Sequence, residues 1–174
     1  MLTRTILIIW MAVAGGCAWE SEQPEQPAAT SLAKTSDVAG ETQLIGARER
    51  SRDIGWIVAS LAQEQVGAPY RFGGSTPAGF DCSGLVNFAY GQAGMSVPRT
   101  TETLWRRARP IPLNEAQPGD LVFFNVEGKP GHVGVFVGDG YFVHAPSTGR
   151  SVTTQSLNAP WYAERLLRVG RLID

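Results

Sequence analysis

Three side chains in this sequence have the makings of nucleophilic catalysis: Cys82, His132 and His144. A cysteine attacks as its thiolate, so it needs a lowered pKa and some exposure. Asp81-Cys82-Ser83-Gly84 follows a glycine-rich stretch and leads into Leu85, Val86, Phe88 and Ala89 at helical spacing. That pattern predicts a helix with Asp81 as N-cap and Cys82 in its first turn. Unpaired backbone N–H groups and the helix dipole there favour negative charge on sulfur. The same N–H groups, that of Cys82 included, can receive the oxyanion of a tetrahedral intermediate. A thiolate also needs a partner imidazole. The chain has 2 histidines, and both fall on one predicted β-hairpin. Placement alone leaves an inert buried cysteine and two structural histidines as the competing reading.

The register of that hairpin decides whether the two rings can meet. His132 to Gly138 alternates valines with other residues, Gly138-Asp139-Gly140 turns, and Tyr141 to Ala145 returns. A plain two-residue loop at Asp139-Gly140 would turn His144 away from His132. A three-residue loop, or a bulge there, sets Gly134 opposite His144. His132 is then its diagonal neighbour on the same face, about 7–8 Å away between Cα atoms. Glycine at 140 suits the left-handed position of such a loop. Catalysis by both histidines requires this second register.

The remaining elements must bring cysteine and hairpin together. Ile54, Ile57, Val58, Leu61 and Val66 predict a helix over about Arg50 to Gln65, ended by Gly67 and Pro69. Tyr70 to Gly79 is a loop, the cysteine helix runs to about Ala93, and Thr100 to Ala108 is a further helix. Leu121-Val122-Phe123-Phe124, after the turn Pro118-Gly119-Asp120, is a buried strand, and Glu164 to Ile173 a closing one. Helices first and strands later predict an α+β domain, with helices packed on a small, mainly antiparallel sheet. Arg106, Arg107 and Arg109 read as a solvated helix end, Trp161-Tyr162 as a packing anchor, and Asp120 as an acceptor for turn N–H groups.

The N-terminus has a different character. Arg4, the apolar run Ile6 to Val13 and the small residues Ala14, Gly15 and Gly16 form a signal peptide over residues 1–16. The run is too short to span a bilayer. Ala14-Gly15-Gly16-Cys17 resembles the lipobox of bacterial lipoproteins, which implies acylation of Cys17 and a membrane anchor through it. Ala18 in the next position implies sorting to the outer membrane, facing the periplasm, in a Gram-negative cell. Residues 17–47, poor in large apolar side chains, read as a flexible tether, and residues 48–174 as the folded domain. With Cys17 acylated, Cys82 is the one thiol left. A formal charge of −1 excludes a phosphate-tracking nucleic-acid binder.

Pro69-Tyr70-Arg71-Phe72-Gly73-Gly74, Asp81-Cys82-Ser83-Gly84-Leu85-Val86, Pro118-Gly119-Asp120-Leu121-Val122-Phe123-Phe124, Gly131-His132-Val133-Gly134-Val135 and Val143-His144-Ala145 stand in that order along the chain. Together they resemble the NlpC family of papain-like bacterial cell-wall cysteine peptidases, over about Ile57 to Leu172. The resemblance implies Cys82 as nucleophile, His132 as base and His144 as the third catalytic residue. It implies Tyr70 beside the thiol, holding substrate or oxyanion, and Asp81 and Ser83 lining the peptide cleft, where capping the helix is their other reading. It further implies a peptidoglycan hydrolase of the murein endopeptidase type, without cofactor, acting on stem peptides at the γ-D-glutamyl–diaminopimelate bond or at diaminopimelate cross-links. Two alternatives are a metal-dependent amidase using His132, His144 and Asp120 or Asp139, and a non-catalytic wall-binding lipoprotein. The first leaves Cys82 without a role and lacks paired-histidine metal spacing.

Overall fold

The computed structural model describes residues 30–173, with side chains from residue 40 onward. The signal segment and Cys17 lie outside these residues.

Helix α1 (Thr30–Gln63) begins well before the predicted start at Arg50. The stretch 30–47, expected as part of a tether, is helical in the structure. No proline occurs between Pro27 and Pro69, so nothing in this stretch blocks the continuation of a helix. Once Val58 and Ala62 anchor the last turns in the core, each further residue propagates an existing helix instead of nucleating one. Gly67, at φ +95°, takes the chain out of the following turns.

A short hairpin follows, β1 (Ser75–Thr76) and β2 (Gly79–Phe80). Helix α2 (Cys82–Gln92) starts at Asp81, whose carboxylate accepts the Gly84 N–H, the cap the sequence predicts. Helix α3 (Thr101–Arg107) has Thr100 as N-cap in a reciprocal capping box with Thr103. Then come β3 (Arg109–Ile111), β4 (Leu121–Val126), β5 (Lys129–Gly138), β6 (Tyr141–His144), β7 (Thr153–Ser156), the single turn α4 (Pro160–Ala163) and β8 (Leu166–Arg171). Six strands form one antiparallel sheet in the order β3-β8-β4-β5-β6-β7.

The sheet is buried on both faces, which is why β4 reads as an unbroken apolar run. Leu121 and Phe123 pack with α1 and α2 through Val58, Leu85, Val86 and Ala89. Val122 and Phe124 point the other way, to Ile111, Phe136, Phe142, Leu157 and Val169, with Tyr162 and Leu166 covering them. α1 reaches the sheet by backbone contact. A Cβ on Gly55 would lie 2.4 Å from the Pro118 carbonyl oxygen, so only glycine permits the approach. Tyr90 Oη, fully buried on α2, donates to the Gly119 carbonyl at 2.7 Å and ties that helix to the same turn.

Candidate active site

The β5–β6 hairpin adopts the register that lets its histidines meet. Val135 pairs with Val143 and Phe136 with Phe142, then a bulge shifts the pairing to Gly138 with Tyr141. Extended outward, this register sets Gly134 against His144. A Cβ on Gly134 would stand 2.5 Å from the Phe142 ring and 3.3 Å from His144 Cβ, so glycine is what lets these rings lie across the strand. The bulge is absorbed by Gly138, Asp139 and Gly140, all at positive φ.

His132 and His144 therefore share a face, and Nε2 of His132 lies 2.7 Å from Nδ1 of His144. The far nitrogen of His144, Nε2, is 3.1 Å from the hydroxyl of Tyr162 on α4. Phe124 and Phe142 pack beside these rings. His144 engages Nε2 of His132 and leaves Nδ1 of that ring free of it.

Cys82 arrives from the first turn of α2. The backbone N–H groups of Val133 and Ser83 lie near enough to its sulfur to favour the thiolate, and Oγ1 of Thr101, at the start of α3, lies 3.6 Å away. Val133 directly follows His132 in β5, and β6 has already ended at His144. The Val133 N–H is thus free of a β6 partner and faces the sulfur. Tyr70, Cys82, His132, His144, Arg150 and Tyr162 line one cleft of about 610 Å³. Tyr70 is placed there by its backbone N–H, which donates to the Arg150 carbonyl at 2.8 Å.

Asp81 and Ser83 do not line this cleft; of their two readings, the structure places them at the cap. Asp81 Oδ1 accepts the Gly84 N–H at 2.6 Å and Oδ2 the Gly73 N–H at 3.0 Å. Arg99 holds both carboxylate oxygens, at 2.9 and 2.8 Å, and also reaches Ser83 Oγ at 3.0 Å and the Gly74 carbonyl at 3.2 Å. This knot fixes the glycine loop to the start of α2. Sequence reasoning missed Arg99, Thr101 and the Tyr162 hydroxyl, each of which acts across a separation that leaves no local pattern.

The ionisation of the site is set mostly by burial. Burial pushes the Cys82 thiol up, and the nearby Asp81 charge adds to it, against the Thr101 hydroxyl and the Val133 and Ser83 N–H groups. Burial takes His132 down to about 4 and, with His132 and Arg150 as neighbours, His144 down to about 3. Each group alone prefers neutrality. A thiolate–imidazolium pair forms here only when one proton passes from sulfur to ring, so that each charge supports the other. Burial, Cys82 and Asp81 all raise Tyr70, which stays a protonated hydroxyl and a donor.

Asp120 and Asp139 are not brought to the histidines. Asp139 sits in the hairpin turn. Asp120 accepts the Gln117 N–H at 2.7 Å, as its turn predicts, and pairs with Arg171 through both oxygens at 2.8 and 2.7 Å. It lines a separate groove of about 540 Å³ between α1 and the β3–β8 edge. Trp161-Tyr162 is the packing anchor expected, with the hydrogen bond to His144 in addition.

Residues 67–171 match the family model described as NlpC/P60 family. Murein DD-endopeptidase MepH of Escherichia coli (strain K12) is 41% identical over 123 residues, covering 67% of this chain and 45% of that protein. Gamma-DL-glutamyl hydrolase of Bacillus subtilis (strain 168) is 37% identical over 134 residues, covering 73% and 32%. The chain thus spans less than half the length of either relative. A crystal structure of an NlpC/P60 family protein from Bacillus cereus ATCC 10987 superposes with a TM-score of 0.65 at 31% identity, covering 69% of this chain and 40% of that one. The helices on an antiparallel sheet are the papain-like domain of these neighbours, and the chain belongs to the NlpC/P60 family.

Proposed function

We propose that this chain is a cysteine peptidase that hydrolyses peptide bonds in the stem peptides of peptidoglycan. The observation that carries it is the 2.7 Å contact between His132 and His144 in the cleft that also holds the Cys82 sulfur. In the reaction, the Cys82 proton moves to Nδ1 of His132 as sulfur attacks the scissile carbonyl carbon. The N–H of Cys82, at the helix start, and the Tyr70 hydroxyl receive the oxyanion. The C–N bond then breaks, and His132 returns the proton to the departing amine, leaving a thioester. Water, deprotonated by the same ring, attacks the thioester and releases a carboxylate and the free thiol. Asp81 and Ser83 serve substrate indirectly, by fixing the helix turn from which Cys82 acts.

The order of motifs and the murein endopeptidase name of one relative support a bond involving diaminopimelate, within or between stems. The Ala14-Gly15-Gly16-Cys17 motif supports a lipid anchor on Cys17 that holds the domain on the outer membrane, facing the periplasm. Digestion of purified peptidoglycan, with the released fragments identified by mass spectrometry, tests both activity and bond. A new free amine on diaminopimelate is expected, with a new carboxyl on D-glutamate for a cut within a stem or on D-alanine for a cut cross-link. Release of intact stem peptides from the glycan would instead mean an amidase.

A further inference from the structure

We propose that Tyr162 is a positioning residue: its phenol oxygen accepts the Nε2–H of His144 and so selects the ring tautomer that leaves Nδ1 of His132 able to take the thiol proton. The inference rests on the peptidase reading above.

One proton occupies each bond along the row His132, His144, Tyr162. A neutral imidazole carries one N–H. For His132 to accept a proton at Nδ1, its own hydrogen must sit on Nε2, which then donates to Nδ1 of His144 over 2.7 Å. Nδ1 of His144 must therefore be bare, and its hydrogen must sit on Nε2. That hydrogen points at the Tyr162 hydroxyl, 3.1 Å away. In the opposite arrangement Tyr162 donates, His144 carries its hydrogen on Nδ1, and His132 is left protonated on Nδ1, where it faces sulfur as a donor. A base needs the first arrangement.

The surroundings hold the phenol in place for this task. Tyr162 stacks edge-on against Phe124, Phe142 and His144, with centroids 5.0–5.3 Å apart, so its hydroxyl cannot swing away without losing that packing. Pro160 starts the single turn that presents it. The charged and titratable groups that share the cleft with the two rings are Tyr70, Cys82 from α2, Arg150 from the β6–β7 loop and Tyr162 from α4. Arg150 is the cation among them: after burial and His132 it helps to lower His144, while burial raises Tyr162 against it and keeps the phenol protonated. Positive charge near His144 disfavours protonating that ring, which keeps the extra proton of the reaction on His132.

The test is Tyr162→Phe in the full chain, which keeps the ring and removes the oxygen. The chain has 2 histidines, so ¹⁵N-histidine NMR at pH 7.5 reads both tautomers directly. In the parent protein both rings are expected as Nε2–H. In Tyr162→Phe, His144 is expected to move to Nδ1–H or to average between tautomers, with kcat down about tenfold, the scale of one hydrogen bond, and KM unchanged. Repeating the change in a His144→Asn background separates tautomer control from packing. An amide oxygen accepts from His132 without a tautomer choice, so Tyr162→Phe is expected to have no further effect there. Unchanged tautomers in Tyr162→Phe, or an equal loss of kcat in the His144→Asn background, would overturn the proposal. Absence of peptide cleavage by the parent protein would overturn the peptidase reading instead, and the NMR tautomers would still decide the role of Tyr162.

Discussion

Two polar regions flank Cys82, and they handle charge in opposite ways. At the start of α2, Asp81 has a side chain only 13% exposed, yet it is kept ionised. Burial would raise its pKa, but the hydrogen bonds and charge of Arg99, with the Gly84 N–H and Ser83 hydroxyl, hold it below the usual carboxylate range. On the hairpin, His132 is 7% exposed and is kept neutral, at about 4, by burial alone. A charge that builds structure is surrounded by permanent partners. A group that must gain and lose a proton is given one neutral partner, His144, and kept away from fixed anions. The difference shows that one turn of helix can be locked by ion pairing while the base beside it stays free to titrate.

The largest effect is expected from His132→Ala, which removes the base but none of the Asp81 knot. Peptide release should fall by about 10³-fold, within the range for general acid–base groups, while the melting temperature falls only slightly, for the loss of one buried ring and its hydrogen bond. Gly134→Ala comes next. Its Cβ would sit 2.5 Å from the Phe142 ring, and overpacking of this kind costs about 2 kcal/mol. Chemical denaturation should show that loss, with activity falling further than stability because the histidine pair is pushed apart. Arg99→Met should cost about 1–2 kcal/mol, since Asp81 is left without its cation but Arg99 itself is 37% exposed. It should leave the tautomers of both histidines unmoved in NMR.

The pH dependence separates the two regions with the smallest perturbation. Both histidines have folded pKa values below the unfolded 6.5. Between pH 6.5 and 4 the unfolded chain therefore binds more protons than the folded one, and stability falls as the solution is acidified. Asp81 acts later, because its contribution is present above the ordinary carboxylate pKa and is lost only as pH falls below it. Denaturant midpoints taken from pH 8 downward should start to drop near 6.5, and the acid limb of kcat/KM should lie near pH 4, well below that of a free imidazole. An acid limb at 6.5 would mean that His132 titrates as an exposed ring.

Most of the candidate site's geometry is legible in the sequence because it is written in local patterns. The helix start at Cys82 shows in Asp81 and the apolar spacing after it, and the doubly buried β4 shows in four apolar residues in a row. The hairpin register could be narrowed to two choices, and the glycines at 138 and 140 pointed to the bulged one. Residues that act across long separations were not legible. Arg99 lies 18 positions from Asp81, and Tyr162 lies 18 from His144. Neither has any periodicity that marks its partner. β3 and β7 are short and carry polar residues such as Arg109, Thr153 and Gln155, so they lack the apolar alternation of the inner strands. The first half of α1 has no apolar face to mark it in the sequence, and it extends the anchored part of the helix back to Thr30.

Activation of the Cys82 sulfur by His132, on which the proposed reaction depends, can be read from alkylation. The rate of iodoacetamide modification at Cys82, followed by mass spectrometry alongside peptide release, should match the loss of activity mole for mole. In His132→Ala the same sulfur should react at least tenfold more slowly at pH 7, since the proton acceptor is gone. Alkylation of Cys82 that leaves peptide release intact, or that proceeds equally fast without His132, would contradict it.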